Sequence, residues 1–300
     1  MPTHGCTITP LDAGAFSAHR IGALRHDCHE HPLLQLPALN GLARNLMKID
    51  KCRFVRPGTA ADSDFVTAGE SPDGRGIDEI FARMEEPGSW IALYNVENDP
   101  QYAQFLQGVT AGLRPLVERD QPGMYNVQGF IFISAPPSVT PFHIDRENNF
   151  WLQVRGRKVL TLWDHEDRLA VPQVGVEEFI VEHNLRHVRL DPAVAARGRT
   201  FDVGPGDGVY FPSTTPHMTS AGRDWCTPGD GISISIGVVF YTATTRRHAR
   251  IHTCNALLRR AGLSPRHPGH SPLDGAKAAL GGLAVAAKQR LRGYVPPPGF

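Results

Sequence analysis

Between residues 125 and 241 the chain is a series of apolar, β-branched runs separated by glycine and proline turns. Tyr125–Ser134 (YNVQGFIFIS) breaks at Ala135-Pro136-Pro137, and Phe150–Val154 and Lys158–Trp163 flank a tight Arg155-Gly156-Arg157 turn. Phe201–Val203 and Val209–Phe211 flank Pro205-Gly206-Asp207-Gly208, and Gly231–Tyr241 (GISISIGVVFY) is a long β-branched run. Apolar runs bounded by turn residues read as strands. A cluster of them calls for an all-β core, and the 30 glycines and 25 prolines supply its turns.

The flanks have a different period. Leu36, Leu39, Leu42, Ala43 and Leu46 predict a helix over 35–47, and Ile77, Ile80, Phe81 and Met84 predict another, stopped by Pro87-Gly88. A third helix starts near Asp99, with Phe105, Leu106, Val109 and Leu113 on one face. Lys51–Val55 and Trp90–Val96 are strand candidates, residues 1–32 are loop-like, and residues 56–76 form a polar loop of the kind that makes a lid. Two helices close the chain, over about 245–261 and 275–292, with Asp274 as N-cap of the second. The expected organisation is a helical region 1–120 packed on the core, a β core 121–243 and a helical region 244–300.

A net charge of +1 gives no bulk argument for nucleic acid or an acidic membrane. The five cysteines are widely spaced without CxxC, which predicts free thiols in a reducing cytoplasm. The N-terminus lacks the basic start and apolar core of a secretory signal, and the weakly apolar run Ala278–Ala287 is about half the length of a membrane span. A soluble cytoplasmic protein is the expectation.

The chemistry concentrates in Thr140–Trp163 (TPFHIDRENNFWLQVRGRKVLTLW). On an extended segment residues i and i+2 share a face, so His143 and Asp145 can offer a nitrogen and an oxygen to one ion. A third ligand is expected from His217, which follows the turn and strand PGDGVYFPSTTPH. Two histidines and a carboxylate make the facial triad of non-haem Fe(II) oxygenases, although zinc chemistry can use the same donors. Lys158, in an otherwise apolar strand, is either a snorkelling edge residue or the partner of a buried anion, and the triad beside it favours the anion.

Residues 125–241 resemble the cupin-like, JmjC-type branch of the 2-oxoglutarate/Fe(II) dioxygenases. Within it they look similar to the protein hydroxylases typified by the asparaginyl hydroxylase of the hypoxia response. The match is carried by Thr140-Pro141-Phe142-His143-Ile144-Asp145, Asn149-Phe150, Gln153-Val154-Arg155-Gly156-Arg157-Lys158 and the PGD…FP…H ending at His217. The resemblance implies a double-stranded β-helix (jelly roll) of about eight strands. It implies His143, Asp145 and His217 as iron ligands, and Lys158 and Thr140 on the 5-carboxylate of 2-oxoglutarate. Asn149 is then a polar neighbour of that cosubstrate. Gly237 stands where that hydroxylase has an Asn, and Tyr125 is the candidate for its cosubstrate-binding tyrosine.

The implied reaction is Fe(II)-, 2-oxoglutarate- and O2-dependent hydroxylation of a C–H bond, with release of succinate and CO2. The substrate is a protein or peptide side chain or an amino-acid-like small molecule. The alternatives are a non-catalytic cupin-like binding or regulatory protein and a zinc-dependent cupin enzyme. Other features have plainer readings. Trp151 and Trp163 are packing residues, and Asn148 is either site lining or a loop residue. His26, Cys28, Glu30 and His31 form a polar surface segment rather than a metal site, and Asp164-His165-Glu166-Asp167 has the look of a second metal cluster but reads as a solvated turn after a strand. The arginines of the 245–261 helix form a solvated face rather than a nucleic-acid grip. Leu280, Leu283, Ala287 and Leu291 form an apolar face that either packs on the core or pairs with its copy in a homodimer.

Overall fold

The computed structural model describes residues 6–54, 59–64, 66–86, 90–222 and 231–300. Its strands are β1 (Ile8–Pro10), β2 (Gly22–His26), β3 (Cys52–Phe54), β4 (Trp90–Leu93), β5 (Tyr125–Ser134) and β6 (Ser138–His143), followed by β7 (Asn148–Arg155), β8 (Lys158–Leu162), β9 (Arg199–Val203), β10 (Asp207–Phe211), β11 (His217–Ala221) and β12 (Ser233–Tyr241). They form two antiparallel sheets among the described residues. The larger has the order β1-β2-β10-β7-β12-β5-β4-β3 and the smaller β6-β11-β8-β9. From β5 onward the chain changes sheet at nearly every connection, so residues distant in sequence face one another. Trp151, Leu160, Leu162, Val203, Val209 and Phe211 join the two sheets in one apolar cluster.

Gly156 shows how the sequence permits one of these crossings. It has φ +66°, and a Cβ there would run into the Ile232 carbonyl, so only glycine lets β7 turn into β8 at this point. Gly206, at φ +88°, does the same in the turn between β9 and β10.

The helices are α1 (Leu36–Met47), α2 (Ile77–Ala82), α3 (Pro100–Glu118), α4 (Gln173–Glu182), α5 (Pro192–Ala195), α6 (Ala243–Arg260) and α7 (Asp274–Arg292). The periodic leucines of α1 and the Phe105, Leu106, Val109 and Leu113 face of α3 are buried with Ile131, Ile133 and Ile236 of the larger sheet. Asp99 caps α3 by accepting from the Gln101 amide at 3.0 Å, with Pro100 at the first helical position. Thr242 and Thr245 form a capping box that starts α6 as β12 ends. No helix among the described residues is long and apolar enough to cross a membrane.

Several expectations need correction. Residues 1–32 are not simply loop: β1 and β2 extend the larger sheet, with β2 paired to β10. The strand GALRH gave no signal because Leu24 and His26 are its only buried residues and one of them is polar. His26-His31 is only in part a surface segment: His26 is 8% exposed and Cys28 0%, whereas Asp27 and Glu30 are exposed. The cysteines are not all free. Ile8 pairs with His26, and the same antiparallel register two residues further brings Cys6 to Cys28, which form a disulfide with a Cα–Cα distance of 4.9 Å. Cys52 and Cys254 are free and buried, and Cys226 lies outside the described residues.

The strand expected over Trp90–Val96 stops at Leu93, where Asn95 turns left-handed at φ 54°. Asp274 sits in the first turn of α7 rather than at its cap, and its Oδ2 accepts from the Gly269 amide at 2.7 Å. Val55, residues 56–58 and 65 of the expected lid and the Pro87-Gly88 stop lie outside the described residues.

Candidate metal centre and its cavity

His143 is the last residue of β6 and His217 the first of β11, and the two are paired across the strands. Their rings lie 4.1 Å apart between centroids. Each Nδ1 meets a carbonyl, Pro141 O at 2.7 Å for His143 and Thr215 O at 3.0 Å for His217. A carbonyl only accepts, so in the neutral ring the proton sits on Nδ1 and the lone pair on Nε2. Both Nε2 atoms approach Asp145, at 3.9 Å from Oδ1 for His143 and 3.5 Å from Oδ2 for His217. Burial, and then the neighbouring His143, lowers His217 to about 4, which keeps it neutral at pH 7. The donor atoms of His143, Asp145 and His217 all lie within 4.8 Å of one another.

Asp145 lies just past β6, while Ile144 between it and His143 is buried on the other side among Phe142 and Trp163. The loop before β11 is stitched to the Asp145 segment. The Thr214 amide donates to Asp145 O at 2.8 Å, the Ser213 hydroxyl to Arg146 O at 2.7 Å, and the Ser213 amide to Asn148 Oδ1 at 2.9 Å. Asn148 is therefore a buried brace. Behind Asp145 the Tyr241 hydroxyl donates to Glu147, whose carboxyl is raised to about 7 by burial and then by Asp145. Sequence reasoning did not single out this pair.

The three residues open into a cavity of about 80 Å³ that reaches both sheets. Lys158, from β8, lines it at 2% exposure and makes no hydrogen bond or ion pair with the other described residues. Burial lowers its ammonium to about 8, so it is still mainly charged at pH 7. Thr219 donates to the Thr140 hydroxyl at 3.0 Å on the same wall. Asn149 Oδ1 and the Ser235 hydroxyl are buried without a partner among the described residues. Buried polar atoms are normally paired, so these two await something in the cavity.

Gly237 has a physical reason. A Cβ there would come within 3.0 Å of Asn149 Oδ1, so the Asn149 side chain already uses the space an Asn on β12 would need. Tyr125 is not at the cavity; its ring stacks on Tyr241 at 5.7 Å, under the Arg246 guanidinium. The tyrosine that lines the cavity is Tyr94, whose phenol burial raises well above its usual value. Its place in the apolar run WIALYNV was the one available signal. Trp151 both packs between the sheets and lines the cavity, whereas Trp163 only packs, donating to Val194 O at 2.9 Å.

No protein-family model and no curated protein sequence matches this chain. Its fold does match solved structures. An X-ray structure of Escherichia coli YcfD aligns with 95% of this chain and 70% of its own, at 15% identity and a TM-score of 0.50. Two further structures describe YcfD as a ribosomal oxygenase, one of them in complex with cobalt and 2-oxoglutarate. They align with 93% and 91% of this chain at 15% and 17% identity, each with a TM-score of 0.47. This chain spans 68% and 65% of their length. At such identities the likeness is one of fold.

Proposed function

We propose that the protein is an Fe(II)- and 2-oxoglutarate-dependent oxygenase of the cupin-like, JmjC-type branch. Its reaction is hydroxylation of a C–H bond in a protein or peptide side chain or an amino-acid-like small molecule. The observation that carries this reading is that His143, Asp145 and His217 converge in the same cavity as a buried ammonium, Lys158, that makes no ion pair with any described residue. The strand alternation from β5 to β12 supports taking the core as a double-stranded β-helix, with residues 1–120 and 244–300 as its flanking regions.

The donor set fits the metal. Two imidazoles whose Nδ1 atoms meet carbonyls, leaving Nε2 to face Asp145, and one carboxylate make a donor set that would suit Fe(II). Iron bound there would supply the redox chemistry that couples O2 reduction and oxidative decarboxylation of 2-oxoglutarate to C–H hydroxylation. The protein's part is orientation. Pro141 and Thr215 carbonyls hold the two rings, the Thr214 amide holds the Asp145 backbone, and Lys158 with Thr140 receives the far carboxylate of 2-oxoglutarate. The apolar walls Phe130, Phe132 and Trp151 limit water. A zinc cupin or a binding module needs no lone buried cation beside the ligands, which is why Lys158 favours the oxygenase.

The direct test is succinate formation from 2-oxoglutarate under air with Fe(II), screened against peptide and amino-acid pools. Succinate dependent on both Fe(II) and one pool is expected. Protein that purifies with zinc and forms no succinate with any pool sinks the oxygenase reading.

The same reading includes a homodimer through the C-terminal helices. α7 crosses α6 at Gly281, where any Cβ would strike the Arg250 carbonyl. Its opposite face leaves Leu280, Leu283 and Leu291 59%, 67% and 83% exposed, so these residues do not pack on the core of the chain. Arg259 and Arg260 of α6 are occupied by Glu177 and Glu182 of α4. Sedimentation should give a dimer for the native chain and a monomer for Leu283→Arg; a native monomer at micromolar concentration contradicts it.

A further inference from the structure

The turn after β8 and the loop between α6 and α7 are about a hundred residues apart and meet at one point. Glu166 Oε1 lies 3.4 Å from His270 Nε2, and the rings of His267 and His270 are 3.8 Å apart between centroids. One donor atom from each of the three lies within 4.8 Å of the others. The backbone fixes this arrangement. In His267-Pro268-Gly269-His270 the His270 amide donates to His267 O at 3.2 Å, Gly269 takes φ +87°, and the Gly269 amide is held by Asp274. Both imidazoles are thereby brought to one side of a tight turn. Glu166 is set by its own turn, its amide donating to Asp164 Oδ1 at 2.8 Å.

We propose that Glu166, His267 and His270 form a second metal site, for Zn(II) or a similar borderline divalent transition ion. Two imidazoles and one carboxylate are zinc donors, whereas Ca²⁺ and Mg²⁺ take oxygen ligands. Tetrahedral bonds of about 2.0–2.1 Å place donor atoms roughly 3.3 Å apart, close to the observed separation of Glu166 from His270. A simple Glu166–His270 ion pair accounts for two of the residues and leaves the third unexplained. His267 Nε2 is buried without a hydrogen-bond partner among the described residues. Burial, and then His270, lowers the His267 imidazole below its usual range, so its lone pair is available at neutral pH. Glu166 and His270 are exposed, so the fourth position belongs to water. An ion there clips the helical C-terminal region to the loop that leaves β8, and is separate from the centre on β6 and β11.

The test is calorimetric titration of untagged, metal-stripped protein with Zn(II). The native chain should bind two equivalents. His143→Ala/His217→Ala should keep the second equivalent, and His267→Ala/His270→Ala should keep only the first. Glu166→Gln, a change at an exposed side chain that leaves the turn intact, should weaken the second site at least about 10-fold. No binding in His143→Ala/His217→Ala, or two equivalents remaining in His267→Ala/His270→Ala, overturns the proposal. Neither outcome depends on whether the first centre supports oxygenase turnover.

Discussion

Replacing His143 by alanine is expected to lower Fe(II) affinity by at least about 100-fold and to remove 2-oxoglutarate turnover with it. Loss of a partner that merely orients a ligand costs roughly 10–100-fold, and loss of a ligand atom costs more. The fold should survive. His143 ends its strand, and its ring meets His217 and the Pro141 carbonyl. The measurement is anaerobic titration with Fe(II) and 2-oxoglutarate, following the weak visible band of the complex, with near-ultraviolet dichroism as the control for folding. His217→Ala should behave alike, because the two rings hold equivalent positions on paired strands. A band of native strength in a folded His143→Ala protein would remove the metal centre as described.

Replacing Lys158 by methionine has two expected effects of opposite sign. The first is on the cosubstrate. Removing one partner of a buried ion pair costs about 3–5 kcal/mol, so 2-oxoglutarate should bind roughly 150- to 4,000-fold more weakly, with Fe(II) affinity little changed. The second is on the empty protein, which should become more stable. The folded value of about 8 lies below the ordinary 10.5, so burial of the charged form costs about 3 kcal/mol at neutral pH. That cost is fully present below pH 8, shrinks as the pH rises through 8 to 10.5, and is gone above it. Thermal unfolding of the metal-free variant and the native protein should therefore differ most at pH 7 and converge near pH 10.5. In the native protein 2-oxoglutarate affinity should fall as the pH rises above about 8. A structural lysine would give the reverse pattern: lower stability in Lys158→Met with unchanged cosubstrate affinity.

Much of the centre is written locally. His-x-Asp at the end of a strand puts two donors on one side because alternation along an extended chain is a property of the backbone alone. The glycines at 156 and 206 are similarly explicit, since each marks a turn that other residues resist. The helices α1 and α3 follow from leucine and phenylalanine spacing, and their observed bounds lie close to the expected ones. Local pattern misled where burial was polar or where pairing was long-range. β2 was hidden by a buried histidine, and the Cys6–Cys28 bridge by a separation of 22 residues. Tyr94 could not be ranked above Tyr125, because both sit in apolar runs and only the packing of β4 beside β5 sets one at the cavity.

The sequence by itself determined the β core, the donor pair His143 and Asp145, and the anomaly of a lysine in an apolar strand. These depend on residue type and on spacings of a few residues, which the backbone geometry translates directly. Only the tertiary structure decided that His217 stands opposite His143, that Lys158 opens into their cavity without an ion pair to another described residue, and that Glu166 meets His267 and His270. Each of these needs the register between elements that are tens to a hundred residues apart. That register is set by the packing of whole sheets and helices and is carried by no single segment.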